Sequence, residues 1–238
     1  MLFRRVTLAG LIGGLILLVA PPAHAQVLIG YLLGEKLSTP VFNMGFEVGA
    51  NFSKLDGFEE GGRRNGPVFG LFADWRFSEH VHLGGAILPI AGRGAKDLDP
   101  AQTGDAAIDG QTAESRMERS LGYVEIPLIL KWSPHRQEGI RIGAGPSFGF
   151  VTGADDRYAC RTPDGAPYTI ERDIKGLIPG FDFGLSAEAE YRLEFLSIAV
   201  RYTQGLTDMR VEGTDEAVHT RVLTGTGRIY LGKKPAEH

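Results

Sequence analysis

Cysteine is nearly missing: Cys160 stands alone in 238 residues. No intramolecular disulfide can form, which excludes the bridged framework of small secreted domains. Cys160 is a free thiol or a link to another chain, and its plainest reading is a loop residue without a role. An excess of basic residues is missing too. Lys and Arg number 25 against 29 Asp and Glu, for a net charge of −4. Nucleic-acid binding, which needs a basic surface, is excluded as a leading function. Beyond residue 25 no stretch approaches the ~18 consecutive apolar residues of a membrane-crossing helix. If the mature chain lives in a membrane, helices do not hold it there.

Glycine, by contrast, is abundant: 33 residues, which argues for turns and close backbone packing rather than a helical bundle. The first 25 residues read as an export signal. Arg4 and Arg5 open it, Val6 to Ala20 is apolar, and Ala23-His24-Ala25 has the small-x-small cleavage pattern. Cleavage before Gln26 removes two arginines and no acid, taking the net charge from −4 to −6. Residues 26–41 form a periplasmic lead, extended or amphipathic. No cysteine follows the cleavage site, so lipid anchoring is unsupported.

From Phe42 to Ser53 the chain alternates. Phe42, Met44, Phe46, Val48, Ala50 and Phe52 fall on one parity, and Asn43, Gly45, Glu47, Gly49, Asn51 and Ser53 on the other. Period 2 means a β-strand. Seven further segments share this grammar: Val68 to Ser78, Val81 to Gly92, Leu121 to Trp132, Gly139 to Thr152, Gly180 to Arg192, Phe195 to Leu206 and Val218 to Leu231. The last is the least regular, and its outward parity is open. The connections alternate as well. Those at 78–80, 134–138 and 192–194 are short; 54–66, 93–119, 153–179 and 207–216 are long. Short turns on one rim, long loops on the other and strands long enough for ~9–11 tilted residues describe one architecture. The chain is expected to be all-β: an eight-stranded antiparallel transmembrane up-and-down β-barrel over residues 42–232, with a tail at 233–238. Trp75, Phe77, Trp132, Tyr191 and Phe195 recur beside the short turns as an aromatic girdle.

Several segments resemble a known family in order along the chain. They are Gly45-Phe46-Glu47-Val48-Gly49-Ala50-Asn51-Phe52-Ser53-Lys54-Leu55; the Tyr-x-Glu-Ile-Pro strand Tyr123-Val124-Glu125-Ile126-Pro127; Gly143-Ala144-Gly145-Pro146; and Arg201-Tyr202-Thr203-Gln204-Gly205-Leu206-Thr207-Asp208. Together they resemble the outer-membrane β-barrel domain family, porin-family or PorT-like. The resemblance runs from Phe42 to about Leu231. It implies a fold and the outer membrane of a Gram-negative-type cell more than a reaction. Members commonly end on an aromatic residue; here Tyr230 stands in that role ahead of the tail.

The inward parity carries six acids, Glu47, Asp74, Glu125, Asp182, Glu188 and Glu190. It also carries six bases, Arg76, Lys131, Arg141, Arg192, Arg201 and Arg228. An eight-stranded bore is only wide enough for side chains to fill it. Charges held there must pair, because an unpaired buried ion costs several kcal/mol. The expected result is a salt-bridged plug, with Glu125 opposite Arg141 and Arg201 meeting Glu188 or Glu190; the alternative is a narrow gated ion path.

Catalysis has little support. His80, His82 and His135 fall at the short-turn rim, and His219, near Asp208, Asp215 and Thr220, lacks a nucleophile-His-acid spacing. An outer-membrane enzyme acting on lipid or peptide is the alternative from another class. A soluble lipocalin-like binder would need an apolar lumen. Carboxylates cluster in the long loops: Asp97, Asp99, Asp105 and Asp109; Asp155, Asp156, Asp164 and Asp173; Asp208, Glu212, Asp215 and Glu216. Asp97-Leu98-Asp99-Pro100 fails the EF-hand pattern, since Ile108 stands where a Glu is needed. No metal or cofactor is expected. Expected partners are outer-membrane lipid and lipopolysaccharide, and the barrel-insertion machinery during assembly, around a monomer whose role is structural or recognition through its loops.

Overall fold

Large apolar residues alternating with small or polar ones favour extended backbone, and the chain folds almost wholly as strands. The computed structural model describes residues 39, 41–58, 61–98, 114–134, 138–161, 165–211 and 216–231. The export signal, most of the lead, the tail, and Asp99, Asp105, Asp109, His135, Asp164, Glu212 and Asp215 lie outside those residues. The strands are β1 (Phe42–Asp56), β2 (Gly62–Arg76), β3 (Val81–Leu98), β4 (Glu114–Trp132), β5 (Gly139–Arg161), β6 (Pro167–Asp173), β7 (Phe181–Arg192), β8 (Leu196–Gly205) and β9 (His219–Leu231). A 3-10 turn spans Lys175–Leu177.

Each strand pairs antiparallel with its neighbour, β4 with β5, β5 with β7, and β9 back to β1. Eight strands therefore close a ring with no free edge, the condition for a sheet in lipid, where no water can satisfy an exposed N–H. The ninth strand, β6, was not expected. It extends β5 beyond Asp155, above the level where β5 leaves β7 at Phe150. The expected long loops 93–119 and 153–179 are to a large extent strand, because β3, β4 and β5 run on past the ring. No helix among the described residues is long and apolar enough to cross a membrane.

In the half of the ring near the short turns, apolar side chains face out. Phe69, Trp75, Leu130, Trp132, Ile140, Ile142, Leu185, Tyr191, Ile198 and Ile229 are all exposed. The open parity of the last strand is settled: Ile229 faces out, while Arg228 and Tyr230 face in. Tyr230 is thus not a lipid-facing terminal aromatic. Near the long loops the pattern inverts. Leu98, Met117, Leu121, Ala154, Tyr158 and Cys160 are buried inside, joined by Ile174, Ile178 and Met209 from the loops. The lumen there is an apolar core, not the polar bore expected throughout.

The inversion is made by two bulges. Between Leu88 and Ala91, β3 has one residue more than β2 and β4, at Pro89, which has no N–H to lose. Between Val151 and Gly153, β5 has one residue more than β4. One extra residue swaps the faces of everything beyond it. Beyond lipid a strand buries its apolar side inward, as in any water-soluble protein.

Strand glycines separate into those that are needed and those that are not. A Cβ on Gly145 would lie 2.0 Å from the Leu128 carbonyl oxygen, whereas one on Gly225 would meet nothing within 4 Å. The expectation that a lumen-side Gly145→Ser is mild is therefore withdrawn. Leu128→Arg on the outward face should cost about 2–4 kcal/mol if the position lies near the bilayer midplane. Gly145→Ser should also impair folding, and Gly225→Ser should be close to neutral. Urea unfolding in lipid vesicles, followed by gel mobility, checks the order; a silent Gly145→Ser would contradict the register at Leu128.

Candidate functional site

The inward charges sit at two levels of the ring, with a third ion pair above them. At the lower level Lys131 Nζ lies 3.2 Å from Asp74, 3.1 Å from Glu188 and 2.8 Å from Glu190. A Cβ on Gly84 would intrude to 2.5 Å of the Lys131 stem, so β3 supplies a gap for that side chain to cross. Arg228 holds Glu188 by two nitrogens, at 2.7 and 2.8 Å, and reaches Glu47 at 3.0 Å and Glu190 at 3.2 Å. Arg201 lies 3.3 Å from Glu188 and 3.4 Å from Glu47, and Arg141 lies 3.4 Å from Asp74. Four carboxylates thus face four cations, all buried. The two-nitrogen Arg228–Glu188 contact is the geometry in which guanidinium and carboxylate pair most strongly.

Tyr230 closes this level. Its hydroxyl is 2.9 Å from both Asp74 and Glu190. Its ring meets Phe72 edge-on at 4.9 Å, and the Arg192 guanidinium lies 4.0 Å over it. Arg192 is thus stacked on an aromatic face at the short-turn mouth. Arg76, the other base of the expected set, is half-buried at the same rim and joins no ion pair among the described residues.

The middle level has one cation between two carboxylates. Arg93 lies 2.8 Å from Glu125 and 3.3 Å from Asp182, and 4.6 Å over the Tyr123 ring. Hydroxyls supply the remaining donors. Ser147 donates to Glu125 at 2.9 Å, Thr220 to Asp182 at 2.8 Å and Tyr123 to Asp182 at 3.4 Å. The expected Glu125–Arg141 pair does not form: each has another partner, one level apart. Arg201 does meet Glu188, across the tight β7–β8 turn. Higher still, Arg119 and Asp156 form a two-point pair, both contacts 2.7 Å.

Among the cavities of the ring, one of about 10 Å³ lies beside Asp74, Lys131, Glu188, Arg201 and Arg228. That is the lower limit for a single water. The histidines are apart from one another. His80 Nδ1 is 2.9 Å from the Ser133 carbonyl oxygen, His82 is buried at the lower level, and His219 Nδ1 is 3.1 Å from the Thr207 carbonyl oxygen. In the last loop the Val218 and Arg210 N–H groups donate to Asp208 and hold its carboxyl below the usual carboxylate range. No group of three His, Cys, Asp or Glu among the described residues could hold a metal ion.

The model of the outer membrane protein beta-barrel domain matches residues 39–210. No curated protein matches the chain. Among solved structures it is similar to Ail, the attachment invasion locus protein of Yersinia pestis, at 9% identity and a TM-score of 0.42, over 80% of this chain and 99% of that one. It is also similar to neisserial surface protein A, at 13% and 0.35, over 79% and 96%. A third is OprG of Pseudomonas aeruginosa, at 13% and 0.28, over 81% and 95%.

Glu188 is shared by Lys131, Arg201 and Arg228. Its removal should cost about 3–5 kcal/mol, because three buried cations lose a partner. Glu171→Ala, which breaks an exposed pair with Arg157, should cost under about 1 kcal/mol. Equal losses for Glu188→Ala and Glu171→Ala in equilibrium unfolding would show that the buried knot does not hold the ring.

Proposed function

The chain belongs to the outer membrane protein beta-barrel domain family, and from that premise we propose that it is a closed-lumen outer-membrane barrel whose role is structural or recognition through its long-loop rim, without catalytic turnover. The observation that carries this reading is the stacking of paired charges at successive levels, capped by the apolar core. A free aqueous path needs far wider barrels, of 16–18 strands. Ions entering here would have to displace Arg228 from Glu188 and Arg93 from Glu125.

The residues weighed for catalysis support the same reading. His219 is turned to the Thr207 carbonyl and Asp208 is occupied by backbone N–H groups, so neither orients the other as a base and its acid would. Cleavage before Gln26 and export by the first 25 residues belong to this proposal, as do the monomeric state and assembly by the barrel-insertion machinery.

The mature chain should fractionate with outer membranes and show heat-modifiable gel mobility. Recovery in the soluble periplasm without detergent would refute the location of this chain. Refolded into a planar bilayer, it should give no conductance steps of the size seen for general porins. Stable steps of that size would replace the closed lumen with transport as the leading function.

A further inference from the structure

The outward face changes character at one level on one side of the ring. Phe52 of β1 is partnered with Leu223 of β9, and Leu223 with Tyr202 of β8, all exposed. Two residues nearer the long loops, Lys54 is partnered with Arg221, and Arg221 with Gln204. The Tyr202 hydroxyl donates to Gln204 Oε1 at 2.9 Å, tying the aromatic row to the polar one. On β2, Asn65 lies opposite Phe52, and exposed Arg63 stands two residues further out. Asp56 pairs with Arg221 through its Nε and orients the guanidinium. Three cations with one acid therefore sit directly above an apolar strip, on β2, β1 and β9. The wall across the ring differs. There Glu118, Arg157 and Glu171 form one cross-strand row, and Asp155 faces Asp173.

A basic row bordering an apolar strip is complementary to a lipid with anionic headgroup and acyl chains. The long stems of Lys and Arg lie along apolar surface with their heads in the polar layer. Guanidinium forks match phosphate oxygens. We propose that Lys54, Arg63 and Arg221 dock the phosphate groups of an outer-leaflet glycolipid, whose acyl chains lie along Phe52, Leu223 and Tyr202. The inference rests on the reading that the barrel spans the outer membrane with its long-loop rim outward. It names one flank of the barrel as the lipid-selective one.

The test uses the full mature chain, refolded into phosphatidylcholine nanodiscs doped with bisphosphorylated lipid A or with its dephosphorylated counterpart. Retained glycolipid is counted by native mass spectrometry. The bisphosphorylated form should be retained and the dephosphorylated form lost. Combining K54Q, R63Q and R221Q should weaken retention about 100-fold, at roughly fivefold per charge. E171Q on the opposite wall should change nothing. Equal retention of both lipids, or wild-type retention by the triple variant, would overturn the proposal. Heat-modifiable mobility is read on every sample. A wild-type chain that fails to insert refutes the membrane reading itself, whereas an inserted chain without phosphate preference refutes only the docking site.

Discussion

Three cations from three strands converge on Glu188: Lys131 of β4, Arg201 of β8 and Arg228 of β9. None of these strands is complete in its packing until the others arrive. Charges confined in a narrow bore have no water to fall back on, so each needs a partner in the chain. The ring must therefore close in one register for the charges to be satisfied. The same closure satisfies the backbone of the outer strands in hydrocarbon. Inside and outside thus impose a single geometry for different reasons.

Above that knot the protein turns into something more ordinary. Arg93, Tyr123 and Asp182 give way to Arg119 and Asp156, and then to Leu98, Met117, Tyr158 and Met209. The upper bore is filled by apolar packing, as in a soluble β-protein. The loops add to the closure, since Ile174 and Met209 are buried in this core. A path through the centre would have to cross a salt-bridged layer and then an oily one, two barriers that reject different solutes.

Much of the lower ring was legible in the sequence, because there the alternation is unbroken. Glu47, Asp74, Lys131, Arg141, Glu188, Glu190, Arg201 and Arg228 were read from parity, and they are buried. Arg93 was not. Counting by twos from His82 points it outward, and only the extra residue at Pro89 turns it in. Asp156, Tyr158 and Cys160 were hidden in the same way by the bulge near Thr152. Pairing across levels was also beyond a one-dimensional reading. Glu125 and Arg141 lie on adjacent strands but at different heights, so proximity in strand order did not bring them together. Rim residues failed for another reason: Arg192 shares the inward parity yet ends over the Tyr230 ring, where the bore opens.

The two bulges have a meaning for how such a protein adapts to its bilayer. Each marks the height at which the strand exchanges hydrocarbon for water as its outer neighbour. That height is stored in the chain as the position of one inserted residue. A lineage moving to a thicker or thinner membrane need not rewrite a strand. Sliding the extra residue two places up or down would lengthen or shorten the greasy portion and leave the cap's own packing pattern intact.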